Sequence, residues 1–479
     1  MKTIFEKSQP QQHAYSLPHD DPAFLEFSPP QEWQRHSELN LPEISEIDLT
    51  RHFAGLAKRN MGIDAHFYPL GSCTMKLNPR INEVAASLPG FARTHPLAPE
   101  ELVQGNLQLM DGLIEFLCTL CGMQAGSLTP CAGAQGEFVG VMMIAAYHRA
   151  QGDFDRTELL IPDNAHGTNP ATASMAGFKT VTIQTNVKGD IDLEDLKRHL
   201  SPRTAGLMLT NPNTLGLFSS VILEVADLIH TAGGFLYYDG ANLNSILNVV
   251  RPGEMGFDVM HINLHKTFST PHGGGGPGAG PVLCNQILKP YLPTPYVIKD
   301  AQGFHVQWDA EKSIGSVAAF HGNFAIYLRA YLYAKLHGHY GLRRIAEAAV
   351  LNANYLKEGI KELFTLPFPQ ICMHEFVVQA DNYLPQGVRA LDIAKRLLDY
   401  GIHAPTVYFP LIVKEAMLIE PTESESKATL DEFIRVMHQI VAEIKHNPQV
   451  VCTAPHTLPV TRLDEVRAAK QLILTFLSS

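Results

Sequence analysis

The chain has 479 residues, 45% of them hydrophobic and 18% charged, enough to bury a substantial core over about two or three domains. Its 37 Lys and Arg against 48 Asp and Glu leave a net charge of −11, and no basic stripe is present to neutralise phosphates, which excludes a nucleic-acid binder. No run approaches about 18 uninterrupted apolar residues, and the segment Met1–His13 lacks the apolar stretch of a signal peptide, so a soluble, cytoplasmic protein is expected.

Residues 1–95 read as an extended, proline-rich arm with a helix only around 46–59. Its embedded apolar residues (Phe24, Leu25, Phe27, Trp33, Phe67, Tyr68) favour draping over a partner subunit rather than disorder. Residues 96–330 read as a large α/β domain. Helices are expected at 101–121, 136–151, 192–200 and 221–231, and strands at 158–161, 179–183, 205–210, 235–238 and 258–262. Strands that alternate with helices imply crossover connections and a mainly parallel central sheet, whose chemistry collects at the strand C-terminal ends. After a helical link near 322–364, residues 331–479 read as a smaller α+β domain. It has strands at 375–379 and 415–419 and helices at 390–400 and 430–445, the last opened by a capping box, Thr429-Leu-Asp-Glu432.

Seven scattered cysteines, an odd number, fit reduced thiols. Cys118 and Cys121 form a CxxC without a second ligand pair at similar spacing, so they read as small apolar residues on one helical face, and no metal site is expected.

The chemistry centres on the run from Asp258 to Gly278. A strand ends near Ile262, and Lys266 follows in a polar turn with histidines on either side, then four glycines. A lysine projected from a strand end into a crowded site can lose its proton and act as an amine nucleophile, and bare glycine backbone lets a planar ligand approach. On this segment alone a surface lysine before a flexible loop is an equal alternative. Asp239 tips the balance. It ends an apolar strand, where a carboxylate can pair with the pyridinium nitrogen of pyridoxal phosphate and strengthen that ring as an electron sink. The loop Ala132-Gly-Ala-Gln-Gly-Glu137, which includes Ala134 and Gln135, feeds a helix start and makes a plausible phosphate cup. Neither GxGxxG nor GxxxxGK[ST] is present there. His166, in a polar loop after a strand, is placed to stack on a cofactor ring, and Thr210 at another strand end is within reach of its phenolic oxygen.

These residues carry a family resemblance. The run His265-Lys-Thr-Phe-Ser-Thr-Pro-His-Gly-Gly-Gly-Gly-Pro-Gly278 resembles the cofactor-lysine signature of the glycine cleavage system P-protein, glycine dehydrogenase (decarboxylating). Phe67-Tyr-Pro-Leu-Gly-Ser-Cys-Thr-Met-Lys76, Cys131-Ala-Gly-Ala-Gln-Gly136 and Asp163-Asn-Ala-His-Gly-Thr-Asn-Pro170 are similar to that family too. The resemblance implies a fold-type-I, aspartate-aminotransferase-like enzyme that uses pyridoxal 5'-phosphate. Its chain would be the separate, lysine-bearing subunit 2 of a heterotetramer with two copies of a homologous subunit 1. It implies decarboxylation of glycine with transfer of the aminomethyl group to the lipoyl arm of the H-protein. Lys266 becomes the Schiff-base lysine, Asp239 the pyridinium partner and His166 the stacking residue. Ala134 and Gln135 lie near the phosphate, with Thr210, Ala241 and His265 as further cofactor contacts.

Arg343, Arg344 and the loop Ser72–Lys76 are candidates for the glycine carboxylate. Cys73 could take a redox part with the lipoyl disulfide or simply pack its loop. The alternatives are another fold-type-I decarboxylase or lyase acting on a different amino acid, and a regulatory subunit that keeps the fold without the chemistry.

Overall fold

Runs of β-branched and aromatic residues separated by amphipathic stretches set the architecture. The computed structural model describes residues 1–16, 29–37, 39–272 and 278–474. The chain divides into two compact units, Met1–Gly62 and Ile63–Ser479. In the first, the longest described helix is Glu46–Ala57, close to its expected span. Ser45 caps it by accepting a hydrogen bond from the Asp48 N–H.

The second unit holds a seven-stranded sheet of β1 (Ala125–Ser127), β2 (Glu158–Pro162), β3 (Lys179–Ile183), β4 (Thr204–Thr210), β5 (Phe235–Gly240), β6 (Val259–Ile262) and β7 (Val282–Cys284), in the order β1-β7-β6-β5-β4-β2-β3. Strands β6, β5, β4, β2 and β3 run parallel, and β7 runs antiparallel to both β6 and β1. Every residue of β4 is buried, as expected of a parallel strand covered on both faces. Successive side chains alternate between two cores. Leu160, Leu207, Leu236 and Met260 join one cluster, while Leu159, Met208, Tyr237 and Val259 join the other.

The helix Gly133–Ala150 covers the second face and approaches the sheet through glycine. A Cβ at Gly136 would overlap the Gly280 carbonyl, and one at Gly140 would meet the Tyr237 ring at 2.5 Å. On the first face lie Leu113 and Leu117 of the helix Gln104–Cys121 and Tyr327 of the helix Phe324–Ile360. The latter breaks at Gly338 (φ 59°, ψ −174°), a backbone geometry open to glycine.

A hairpin of β8 (Tyr296–Lys299) and β9 (Phe304–Gln307) precedes a small antiparallel sheet. That sheet consists of β10 (Phe376–Gln379), β11 (Thr406–Val407) and β12 (Ala416–Ile419), ordered β10-β12-β11. The helices Ala390–Asp399 and Lys427–His446 pack on it, Phe433 and Met437 meeting Phe376, Val378, Met417 and Ile419. Among the described residues no helix is long and apolar enough to cross a membrane.

Three expectations need correction. The last helix of the small-sheet region starts at Lys427 and is capped by Ser426, whose hydroxyl accepts from the Thr429 N–H. Thr429 is thus inside the helix, and Glu432 pairs with Arg435 instead of closing a box. The supposed arm also contains the helices Arg80–Ala86 and Pro89–Ala92. Its residues Phe67 and Tyr68 pack within their own chain rather than over a partner. Phe67 is buried edge-on against Phe433, and Tyr68 stacks on His403 at 3.6 Å. Phe24, Leu25 and Phe27 lie outside the described residues.

Candidate active site

Four parallel strands end at one cavity. The loop after β2 carries His166, β4 ends in Thr210, β5 delivers Asp239, and the short helix Leu264–Thr267 after β6 carries Lys266. Together with Ala134 from the first turn of Gly133–Ala150 and with Ala241, these residues line the cavity. The position follows from topology, because loops at the carboxyl edge of a parallel sheet converge there.

Lys266 is 7% exposed, and its Nζ donates to the Ser72 carbonyl at 2.7 Å. Asp239 is buried and heavily hydrogen-bonded. Its Oδ2 accepts from Asn169 Nδ2 at 3.1 Å, its Oδ1 accepts from the Ala241 N–H at 3.0 Å, and His261 Nε2 lies 3.4 Å from Oδ1. Burial pushes this carboxyl up, but the charge interactions with His261 and Lys266, aided by those hydrogen bonds, outweigh it and hold the group below the usual carboxylate range.

Glu137 shares the Asn169 amide, taking it at 3.0 Å, and also accepts from Thr168 Oγ1. Burial and then the Asp239 charge push Glu137 up to about 7. Of the two acids, Asp239 is the one held as an anion facing the cavity. The buried His261 is oriented from behind by the Tyr237 hydroxyl, 2.7 Å from its Nδ1.

His166 is pushed down first by burial and then by the Lys266 charge, which favours a neutral imidazole. Both the Thr168 N–H, at 3.3 Å, and the Thr168 hydroxyl, at 3.1 Å, lie within hydrogen-bond reach of its Nδ1 and fix the ring's orientation. Two buried oxygens on the cavity wall, Thr210 Oγ1 and Asn263 Oδ1, have no hydrogen-bond partner among the described residues. At Gly133 a Cβ would run into the Asn263 amide, so the helix start and the strand end are as close as glycine allows. The N-cap residue of that helix, Ala132, supplies no side-chain cap, which leaves the first amides open to an anion among the described residues.

Not every expected residue lies on the cavity. Gln135 turns away, accepting from the Cys131 N–H at 2.7 Å and donating to the Val317 carbonyl at 2.5 Å. His265 lies against His272, ring centroids 4.7 Å apart, and burial pushes it down to about 3. Arg343 pairs with Glu347 on an exposed face, and Arg344 borders a separate pocket with Lys76 and Glu423. Ser72 does line the Lys266 cavity. Glycines 273–276 lie outside the described residues.

Sequence reading missed Glu137, Asn169, His261 and Asn263. His261 at the end of an apolar strand was the available clue, since a polar residue inside such a run needs a partner.

The donor set suits pyridoxal phosphate. A buried amine, an ionised carboxylate across the cavity, a neutral imidazole, unpaired oxygens and an uncapped helix start match the aldehyde, ring nitrogen, ring face, polar substituents and phosphate of that molecule.

Comparison with known proteins agrees. Residues 345–456 match the family model described as glycine dehydrogenase, C-terminal domain. The chain is 53% identical over 475 residues to the probable glycine dehydrogenase (decarboxylating) subunit 2 of Staphylococcus haemolyticus, covering 99% of this chain and 96% of that one. It is 54% identical over 475 residues to the protein of the same name from Bacillus cytotoxicus, covering 99% and 97%.

Among solved structures it resembles a glycine decarboxylase (P-protein) of the glycine cleavage system in inhibitor-bound form, with a TM-score of 0.73, 20% identity and coverage of 87% of this chain and 93% of that one. It also resembles the sphingosine-1-phosphate lyase of Burkholderia pseudomallei, with a TM-score of 0.62, 12% identity and coverage of 88% and 96%. At these identities the structures speak for the fold, while the near-full-length relatives decide the kinship: the chain belongs to the glycine dehydrogenase (decarboxylating) subunit 2 family.

Proposed function

We propose that this protein decarboxylates glycine with pyridoxal phosphate held on Lys266 and passes the remaining aminomethyl group to the lipoyl arm of an H-protein, releasing CO2. The observation that carries this is the meeting of Lys266, Asp239 and His166 in one cavity of a chain whose relatives bear the glycine dehydrogenase name. Bound there, the cofactor supplies an electron sink for the bond broken at the glycine α-carbon.

The chain's own residues prepare that chemistry. The Asp239 carboxylate keeps a proton on the ring nitrogen, and Asn169 and His261 fix that carboxylate in place. The neutral His166 imidazole offers a flat face to the cofactor ring, and being neutral it does not oppose the ring proton. Free amides at the start of Gly133–Ala150 take the phosphate, and Thr210 and Asn263 offer polar contacts to the ring substituents. In the acceptor half, the aminomethyl carbon bonds to one lipoyl sulfur as the S–S bond breaks, and the other sulfur leaves as a thiol.

The assembly that follows is a heterotetramer of two copies of this chain with two of subunit 1, in the cytoplasm. The subunit-2 name of the relatives and seven free thiols support that setting. The test is direct. Borohydride should fix a pyridoxyl group on Lys266, and the protein mixed with subunit 1 and lipoylated H-protein should release CO2 from glycine. Release from a different amino acid and not from glycine would overturn the assignment.

A further inference from the structure

The segment Gly71–Lys76 is held by one small group of buried acids and itself holds Lys266. Gly71 is tied to the small sheet, its N–H donating to the Leu418 carbonyl and its own carbonyl accepting from Thr406 Oγ1 at 2.8 Å. The Ser72 N–H donates to Glu375 Oε2 at 2.7 Å. Thr74 gives Glu420 two hydrogen bonds, from its N–H at 3.0 Å and from its hydroxyl at 2.5 Å. Lys76 pairs with Glu423 at 2.6 Å and donates to the carbonyl of Thr267, the residue after Lys266.

Glu375 and Glu420 are wholly buried, so each backbone amide they accept sits opposite a carboxyl group that has no water to turn to. Between these anchors the chain takes left-handed geometry at two residues other than glycine, Ser72 (φ 65°) and Thr74 (φ 49°). Such backbone persists only where its surroundings over-determine it, and it concentrates at functional sites. Its consequence here is to turn the Ser72 carbonyl onto Lys266 Nζ at 2.7 Å.

If Lys266 carries the cofactor, its amine competes with the substrate amine for the same carbon, so it is released and recaptured in every turnover. A released amine on a flexible four-carbon stem needs a defined resting place to return promptly. We propose that the Ser72 carbonyl is the resting acceptor for the Lys266 amine whenever that amine is free, and that Thr74, Glu420 and Glu375 are positioning residues that hold the carbonyl in place. This rests on the functional reading above, which borohydride trapping on Lys266 tests separately.

The experiment uses full-length protein freed of cofactor and measures how fast trinitrobenzenesulfonate modifies Lys266 at one fixed pH, followed on the Lys266 peptide by mass spectrometry. Thr74→Val removes the hydroxyl bond to Glu420 but leaves the Glu420 carboxyl group, and it should speed modification about tenfold as the carbonyl swings free. Thr74→Ser restores the hydroxyl and should stay within about twofold of the parent protein. A purely structural role for Thr74 would not be rescued in this pattern. Equal rates in parent and Thr74→Val, or equal rates in Thr74→Val and Thr74→Ser, overturn the proposal. Should Thr74→Val fail to fold by circular dichroism, Glu420→Ala is read against Glu420→Gln. Both remove the carboxyl group and only Gln keeps an acceptor, so faster modification in Ala supports the proposal and equal rates overturn it.

Discussion

Asp239 shows how one carboxylate stays ionised inside a protein. Burial opposes its charge, and His261, Lys266, Asn169 and the Ala241 amide reverse the outcome. Asp239→Asn keeps the shape and loses the anion, so kcat for glycine decarboxylation should fall about a hundredfold or more while the fold survives. Steady-state rates with the borohydride-trappable fraction measured alongside would separate lost chemistry from lost cofactor. His374 is the opposite case. It is fully buried, neither ring nitrogen has a hydrogen-bond partner among the described residues though Glu375 Oε1 lies 3.7 Å from Nε2, and burial, with the Lys266 charge added, pushes it down to about 3 from 6.5. The folded protein therefore keeps it neutral while the unfolded chain protonates it, and stability falls as pH drops from 6.5 towards 3. At pH 5 this costs about 2 kcal/mol, set by the unfolded value alone. In His374→Phe the loss of unfolding free energy between about pH 7 and pH 5 should be smaller by about that amount, read by urea titration at both pH values. Any packing cost of the phenyl ring cancels within the variant.

At the scale of elements, the seating of Gly133–Ala150 decides where the free amides point. Gly136 lies against the Gly280 carbonyl and the His261 Cβ, backbone and strand atoms that cannot step aside cheaply. Gly136→Ala should therefore lift the helix start, costing about 1–3 kcal/mol in stability and weakening pyridoxal phosphate binding, which a cofactor titration by absorbance would read. Such elements were largely legible beforehand. Four of the five parallel strands, β2, β4, β5 and β6, announced themselves as apolar runs, since strands buried on both faces leave little room for polar residues, whereas the edge strand β3 is largely polar and partly exposed. Strands β1 and β7, each three residues long, were not, because so short a run has no measurable period. The cap of Lys427–His446 was misplaced by one turn, since Ser426 and Thr429 are both good capping residues and only tertiary packing chooses between them. Within the site, Lys266, Asp239 and His166 were readable from strand ends. Glu137 and Asn169 were not, because helix residues that turn towards a strand end carry no local mark of it.

Across the whole Ile63–Ser479 unit, the two sheets meet the same site by different routes. The large sheet delivers side chains directly, whereas none of the residues of β10, β11 or β12 lines the Lys266 cavity. The small sheet acts through Gly71–Thr74, bonded to Leu418, Glu375 and Glu420 and ending on Lys266. A second link is the helix Phe324–Ile360, which after its break at Gly338 gives Leu342, Ile345 and Ala346 to one core and Ala353, Leu356 and Ile360 to the other. A helix shared by two cores, and a strained segment pinned at both ends, make the two sheets unfold as one body. Cofactor at about a hundred times its Kd should stabilise the folded state by about 2.7 kcal/mol. In differential scanning calorimetry that gain should move a single transition that includes the small sheet. A second transition at unchanged temperature, with only the large-sheet transition raised, would show that the small sheet is independent of the site and that the Gly71–Lys76 connection transmits nothing.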